Sequence, residues 1–196
     1  PDSLAQKLSR FVDEGWLNII GGCCGTSPAH IAAIARMAAG RAPRRPVSSR
    51  RKLVSGIEPL FIEDDSRPIL VGERTNVIGS RKFKNMIVAG QFEEAAEIAR
   101  AQVKTGAQVI DICVANPDRD ELADMEQMLV YLPKKVRAPI MIDSTDAAVT
   151  ELALQRLQGK CVINSINLED GEERFAKVAP LIKRYGGAVV VGCIDE

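Results

Sequence analysis

Two groups of residues in this chain carry side chains able to do chemistry. The first is Gly21-Gly22-Cys23-Cys24-Gly25-Thr26, where two thiols stand side by side between glycines. Adjacent cysteines reach one metal ion if the backbone bends sharply, and flanking glycines permit that bend. Zinc takes four ligands in a structural site, or three plus an exchangeable position in a catalytic one. Cys23 and Cys24 are thus at most part of a zinc site, and the dipeptide also reads as two small buried apolar residues. The single histidine, His30, lacks zinc-ligand spacing and reads as an ordinary surface or core histidine. Cys113, Cys161 and Cys193 are distant in sequence, so a further ligand would come from outside the chain.

The second group is a set of carboxylates and carboxamides at or just past the C-terminal ends of apolar runs: Glu73 and Asn76, Asp111 and Asn116, Asp143, Asn164 and Asn167, and Asp195. No His/Cys constellation for nucleophilic catalysis accompanies them, and no glycine-rich phosphate loop of the usual spacing is present. Such groups suit a neutral heterocycle rich in N–H donors and C=O acceptors. A carboxylate accepts two parallel N–H bonds from an amino-pyrimidinone edge, and a carboxamide offers both a donor and an acceptor. A pterin has that edge. For any one residue, turn or cap duty is the other reading.

The elements that must position these groups follow from periodicity. Residues 3–14 place Leu4, Leu8, Phe11 and Val12 on one helical face. A strand is expected at 17–20, then the Cys-Cys turn, then a helix from Ser27 with Pro28 at its first position, ending at Gly40. Residues 41–68, rich in Arg, Pro and Ser at first, read as a connector. Strand-like runs then recur at 69–72, 107–113, 138–142, 160–166 and 188–194, mostly continuous and apolar, as in strands buried on both faces of a parallel sheet. Helices are expected at 91–105, at 119–132 behind an Asp118/Glu121 capping box, at 146–158, and at 173–185 before a Gly186 C-cap.

This alternation is α/β. Polar residues at the end of every run favour a (β/α)8 TIM-barrel type, whose strand ends share one mouth, over an open sheet with a single switch point. A full barrel needs about 250 residues and eight strands. The expectation is therefore the tail of one barrel (1–42), a linker (43–67) and roughly five β/α units of a second (68–196). The chain opens without Met and closes directly after a strand-like run, which reads as a piece of something longer.

Composition bounds the partners. Lys plus Arg equals Asp plus Glu at 26 each, which gives no support for a nucleic-acid or membrane-surface partner. The basic stretch Arg41–Lys52 has no interleaved aromatic residues for stacking on bases. No apolar run approaches the ~20 residues of a bilayer span. The N-terminal PDSLAQKLSR lacks an export-signal layout, so reduced thiols or metal ligands in a cytoplasmic setting are expected.

Gly72-Glu73-Arg74-Thr75-Asn76, continuing Val-Ile-Gly79-Ser80-Arg81-Lys82-Phe83, resembles the opening of the folate domain of the cobalamin-dependent methionine synthase family. Ile142-Asp143-Ser144, the run from Gly159-Lys160 to Asn164-Ser165-Ile166-Asn167, and Glu169-Asp170-Gly171-Glu172-Glu173 resemble the same domain in the same order. The Cys23-Cys24 stretch resembles the cysteine pair of that family's homocysteine-binding barrel. The resemblance implies a methyltransferase that moves a methyl group from 5-methyltetrahydrofolate to cob(I)alamin on a separate cobalamin-binding domain, and on to homocysteine. It implies that Cys23 and Cys24 are two of three zinc-binding cysteines, the third lying upstream. Glu73, Asn76, Asp143 and Asn164 match pterin-binding positions, with Asn164 directed at N5 and Asp143 anchoring the pyrimidinone edge as the catalytic pair. Relatives carry Asp-x-Asn where this chain has Asp111-Ile112-Cys113. Cys113 cannot replace a carboxamide, and Asn116 is the nearby alternative. Two other readings are a dihydropteroate synthase-like pterin enzyme and a non-catalytic pterin-binding module.

Overall fold

The computed structural model describes residues 1–47, 51–169 and 171–194, so Asp170 and Asp195 lie outside the described residues. The chain forms two compact units, Pro1–Arg50 and Arg51–Glu196. In the first, α1 (Asp2–Asp13) and α2 (Pro28–Ala38) pack through Ala5, Ala33 and Ile34. Ser27 is the N-cap of α2 and Pro28 opens it, as the sequence implies. His30 belongs to this cap: its Nδ1 accepts from the Ser27 backbone N–H at 3.2 Å and lies 2.7 Å from Ser27 Oγ. The strand expected at 17–20 does not form. Among the described residues this unit holds no other strand to pair with it, and Ile19 is 91% exposed.

The second unit opens with β1 (Leu53–Ser55) and β2 (Pro59–Phe61), an antiparallel hairpin, followed by a 3-10 turn at Asp64–Ser66. The stretch expected to be a plain connector is therefore folded in its second half. Five parallel strands follow, in chain order across the sheet: β3 (Val71–Gly72), β4 (Val109–Ile112), β5 (Ile140–Asp143), β6 (Val162–Ile166) and β7 (Ala188–Val191). Each lies within or beside one of the expected apolar runs. The runs are longer because they also supply buried residues just outside the hydrogen-bonded ladder, such as Cys113 and Cys161.

Between the strands lie α3 (Arg81–Val88), α4 (Phe92–Lys104), α5 (Glu121–Lys135), α6 (Ala147–Arg156) and α7 (Glu173–Tyr185). Successive helices pack on one another from α3 to α7. Strand order that follows chain order, with successive helices side by side, is single winding. A doubly wound sheet would reverse its order at a switch point. All four β4 residues are buried, as expected for a parallel strand covered on both faces. Fully buried Phe83, Ile87, Ile110, Met125, Met128, Leu132, Ile142 and Ile163 belong to the main core.

Three local expectations are corrected. Helix α3 was not foreseen; Ser80 Oγ caps it by accepting from Phe83 N, and Phe83 and Ile87 bury its inner face one turn apart. Helix α5 starts at Glu121 rather than 119, with Asp120 rather than Asp118 as its cap, accepting from Ala123 N at 3.1 Å. It also runs past Pro133, because a proline in a final turn removes little more than its own N–H bond. Gly186 ends α7 at φ 67°, as expected.

The hairpin is stitched to the N-terminal ends of the sheet. Ser55 N donates to Lys160 O at 3.0 Å and Ile57 N to Arg137 O at 2.9 Å. Val54 packs with Val109 and Val162. Between them, Gly56 passes so close to the neighbouring chain that a Cβ there would lie 2.2 Å from Arg137 O. The opposite, C-terminal strand ends stay open for the polar residues. No helix among the described residues is long and apolar enough to cross a membrane.

Candidate functional site

The loop after β3 is tied down residue by residue. Arg74 N donates to Gln102 Oε1 at 2.7 Å, and the buried Thr75 hydroxyl donates to Asp111 O. These anchors carry Asn76 across the strand ends, where it bridges to Cys113. Asn76 Nδ2 donates to Asp111 Oδ2 at 3.1 Å and to Asp143 Oδ2 at 2.9 Å. Its Oδ1 accepts from Ile78 N and Gly79 N at 2.9 and 3.2 Å. One carboxamide thus joins the ends of β4 and β5 to the loop after β3.

Asp111 is 2% exposed, and its Oδ1 has no hydrogen-bond partner. Burial pushes its carboxyl up to about 6, opposed by the Asn76 amide, with the Asp143 charge adding to the rise and Asn164 opposing it. Burial also raises Asp143, again against the Asn76 bond. Glu73 is exposed and its charge raises both carboxyls from the rim. Asn164 sits on β6 opposite Asp143 in register. Glu73, Asn76, Asp111, Asp143 and Asn164, which come from four different strand ends, therefore meet at one mouth. A buried carboxylate with an open acceptor costs free energy until a donor fills it. This arrangement is built to receive N–H groups.

Beside Asp143 and Asn164 opens a cleft of about 630 Å³, bounded by the starts of α6 and α7 and including Asn167 and Arg174, within the usual size range of small-molecule sites. Arg174 is the chief residue the sequence reading missed. Its guanidinium donates to Ser165 O at 2.7 Å, to Ser144 O at 2.7 Å and to Thr145 O. It thereby clamps the residues that follow Asp143 and Asn164. A signal existed: a cation in the first turn of a helix opposes the helix dipole. Ser144, buried beside Asp143, donates to Glu121 Oε1 at 2.6 Å, and burial raises the Glu121 carboxyl against that bond.

Asn116 is 4% exposed but lines a separate cleft with Ile78, Arg81 and Pro117. Cys113 is buried, its thiol pushed up to about 12 by burial, and it lies against Asp143. It is a neutral neighbour there rather than a nucleophile.

In the first unit, Cys23 and Cys24 are exposed on a turn closed by Cys23 N donating to Thr26 Oγ1 and Thr26 N donating to Cys23 O, both at 2.9 Å. A Cβ on Gly22 would lie 2.2 Å from Thr26 Oγ1, so the turn needs glycine there. The buried-apolar reading of the pair therefore fails. The sulfurs lie 3.7 Å apart, and hydrogen bonds from the Cys24 backbone and thiol hold the Cys23 thiol below its ordinary value. No group of three or more His, Cys, Asp or Glu residues suited to a metal occurs among the described residues.

A singly wound parallel sheet with carboxylates and carboxamides gathered at its C-terminal ends defines an α/β protein built to bind a hydrogen-bonding heterocycle. Residues 72–196 match the pterin binding enzyme family, and the chain belongs to that family. Residues 1–38 match the homocysteine S-methyltransferase family. The chain is similar to the methionine synthase of Mycobacterium tuberculosis, 40% identical over 200 residues, covering 100% of this chain and 17% of that protein. It thus spans about a sixth of that relative's length. Among solved structures, the wild-type HPPK-DHPS of Plasmodium falciparum with pteroate matches at 16% identity and a TM-score of 0.48, covering 83% of this chain and 29% of that one. The resemblance drawn from the sequence motifs holds.

Proposed function

We propose that this chain is the part of a methionine synthase that runs from the end of a homocysteine-binding barrel (1–42), through a linker (43–67) whose second half packs on the sheet as the β1–β2 hairpin, into the first part of a pterin-binding (β/α)8 barrel (68–196). The activity is methyl transfer from 5-methyltetrahydrofolate to a cob(I)alamin acceptor on another domain, and on to homocysteine. One observation carries the pterin half: Asp111, buried with Oδ1 unpartnered, beside Asp143 and Asn164 at the strand mouth. The amino-pyrimidinone edge supplies the N–H donors these carboxylates lack.

The residues then have distinct roles. Asp111 and Asp143 hold the pyrimidinone edge, and Asn76 keeps both carboxylates aligned. Asn164 addresses N5. When the N5–CH3 bond breaks, the methyl group leaves without the bonding electron pair, which stays on N5. A hydrogen bond or proton delivered at N5 stabilises that developing charge. Arg174 holds the backbone on either side, and Glu73 sets the potential at the rim.

The cysteine pair fits two corners of a zinc site. Two sulfurs about 2.3 Å from one tetrahedral zinc lie about 3.8 Å apart, against 3.7 Å between Cys23 and Cys24. Bound zinc would turn a homocysteine thiol into a thiolate near neutral pH. Five free cysteines suit a reducing, cytoplasmic setting. The homocysteine S-methyltransferase match at 1–38 disfavours a dihydropteroate synthase-like reading.

The test is a binding isotherm for 5-methyltetrahydrofolate with the full-length protein and its Asn164→Ala form. Wild-type binding that weakens in the variant supports the reading. Wild-type protein that binds no folate overturns it.

A further inference from the structure

Helix α4 packs on β3 and β4 and buries Ala95 and Ala99 completely. One turn further along the same face stands Gln102, a half-buried carboxamide where the small apolar stripe would otherwise continue. A polar group in that place needs partners, and both ends of this one are used. Its Oε1 accepts from Arg74 N at 2.7 Å, and its Nε2 donates to Thr75 Oγ1 at 3.4 Å. Gly72 leaves the room for it: a Cβ there would lie 2.8 Å from Gln102 Oε1 and 3.0 Å from Ala107 Cβ.

The two loop residues that Gln102 holds lead directly to Asp111. The fully buried Thr75 hydroxyl accepts the Gln102 N–H and donates its own proton to Asp111 O. The next residue, Asn76, grips the Asp111 carboxyl through Nδ2 at 3.1 Å. Asp111 is therefore held at its carbonyl by Thr75 and at its carboxylate by Asn76. Cys113 N donates to Thr75 O at 3.1 Å, which ties the same run to the end of β4. Gln102 adds a tie from α4, outside the strand ends.

We propose that Gln102 is a positioning residue for ligand binding at the mouth: it touches no ligand, and through Arg74 and Thr75 it sets how Asn76 presents the Asp111 carboxylate to an N–H edge. The proposal rests on the pterin reading above. Two parallel N–H···O bonds to one carboxylate demand that its plane be fixed, and such bonds weaken steeply as they leave line. A loop freed at Arg74 and Thr75 lets Asn76 shift, and the Asp111 carboxylate with it. The glycine at 72 and the glutamine at 102 then form one device, since a side chain at 72 would fill the seat of the carboxamide.

The test uses the full-length protein with its Gln102→Met and Gln102→Glu forms, titrated with 5-methyltetrahydrofolate from pH 5 to 8. Methionine keeps the length and helix propensity of glutamine but removes both carboxamide bonds, and a melting curve checks that each variant folds. At pH 8 the expected result is a loss of about tenfold in folate affinity for Gln102→Met. Gln102→Glu, which keeps an acceptor for Arg74 N, recovers most of it. A second readout is the pH at which affinity levels off. The Asn76 bond holds the Asp111 carboxyl down, so a loosened Asn76 moves that point upward in Gln102→Met. The charges of Glu73 and Asp143 and the ligand's own titration are common to both proteins and cancel. Equal affinity in wild type and Gln102→Met overturns the positioning role and leaves the pterin reading standing. A loss that glutamate does not recover, or that leaves the pH point unmoved, also overturns it, because the effect then bypasses Asp111. Wild-type protein that binds no folate removes the pterin reading and this proposal with it.

Discussion

Asp111 makes the stability of the ligand-free protein depend on pH in a definite direction. Its folded-state carboxyl titrates at about 6 against an ordinary value of 3.8, so folding favours the protonated form. Below about pH 4 both folded and unfolded states are protonated and no difference arises. As pH rises further, the unfolded chain releases this proton while the folded protein keeps it, and stability falls until about pH 6. Roughly two pKa units at about 1.4 kcal/mol each give a loss of about 3 kcal/mol. Asp111→Asn abolishes this titration. Urea unfolding of both proteins in steps from pH 4 to 8 reads it directly. The variant should gain about 3 kcal/mol relative to wild type across the window, with most other carboxylates cancelling in the difference. Saturating 5-methyltetrahydrofolate should flatten the wild-type slope, because its N–H groups would fill Oδ1. Parallel curves for the two proteins would refute the account of a buried, under-bonded carboxyl.

Further outcomes follow from other contacts. Gly56→Ala would set a methyl group 2.2 Å from Arg137 O and 2.4 Å from Ala138 O. The hairpin must shift, at a cost of about 1–3 kcal/mol in unfolding free energy; an unchanged denaturation midpoint would contradict that seal. Arg174→Ala leaves three backbone carbonyls without their donor. It should lower stability by about 2 kcal/mol or more and weaken folate binding, and Arg174→Lys should restore little, since an ammonium lacks the planar fork. Full recovery by lysine would show that charge alone suffices. In the full-length protein, metal analysis should find about one zinc per chain in this unit, lost in Cys23→Ser and in Cys24→Ser; zinc retained by both variants removes the pair from the site.

Much of the site was legible in the sequence. Glu73, Asn76, Asp111, Asp143 and Asn164 each stand near or just past the C-terminal end of an apolar run, and a parallel strand buried on both faces puts such residues at one end of the sheet. Helices such as α4 were legible because Ala95, Ala96 and Ala99 repeat at helical spacing. Helix α3 was not, since only Phe83 and Ile87 mark its buried face in eight residues. The run 17–20 failed for the opposite reason: its residues suit a strand, but a strand needs a neighbour, and sequence pattern does not reveal one.

What the sequence determined by itself is local and periodic: which runs are buried, where α2 and α7 begin and end, and which polar side chains stand at strand ends. What only the tertiary structure decided is which of those side chains meet and in what state. Register sets Asp143 opposite Asn164. The loop after β3 delivers Asn76 to two carboxylates from strands far apart in the chain, and leaves Asp111 Oδ1 without a partner. Arg174 turns back from a helix start to hold three carbonyls. The physical reason is that hydrogen-bond partnership and burial are properties of three-dimensional neighbourhoods. A sequence states which donors and acceptors exist, and the fold decides which of them are satisfied.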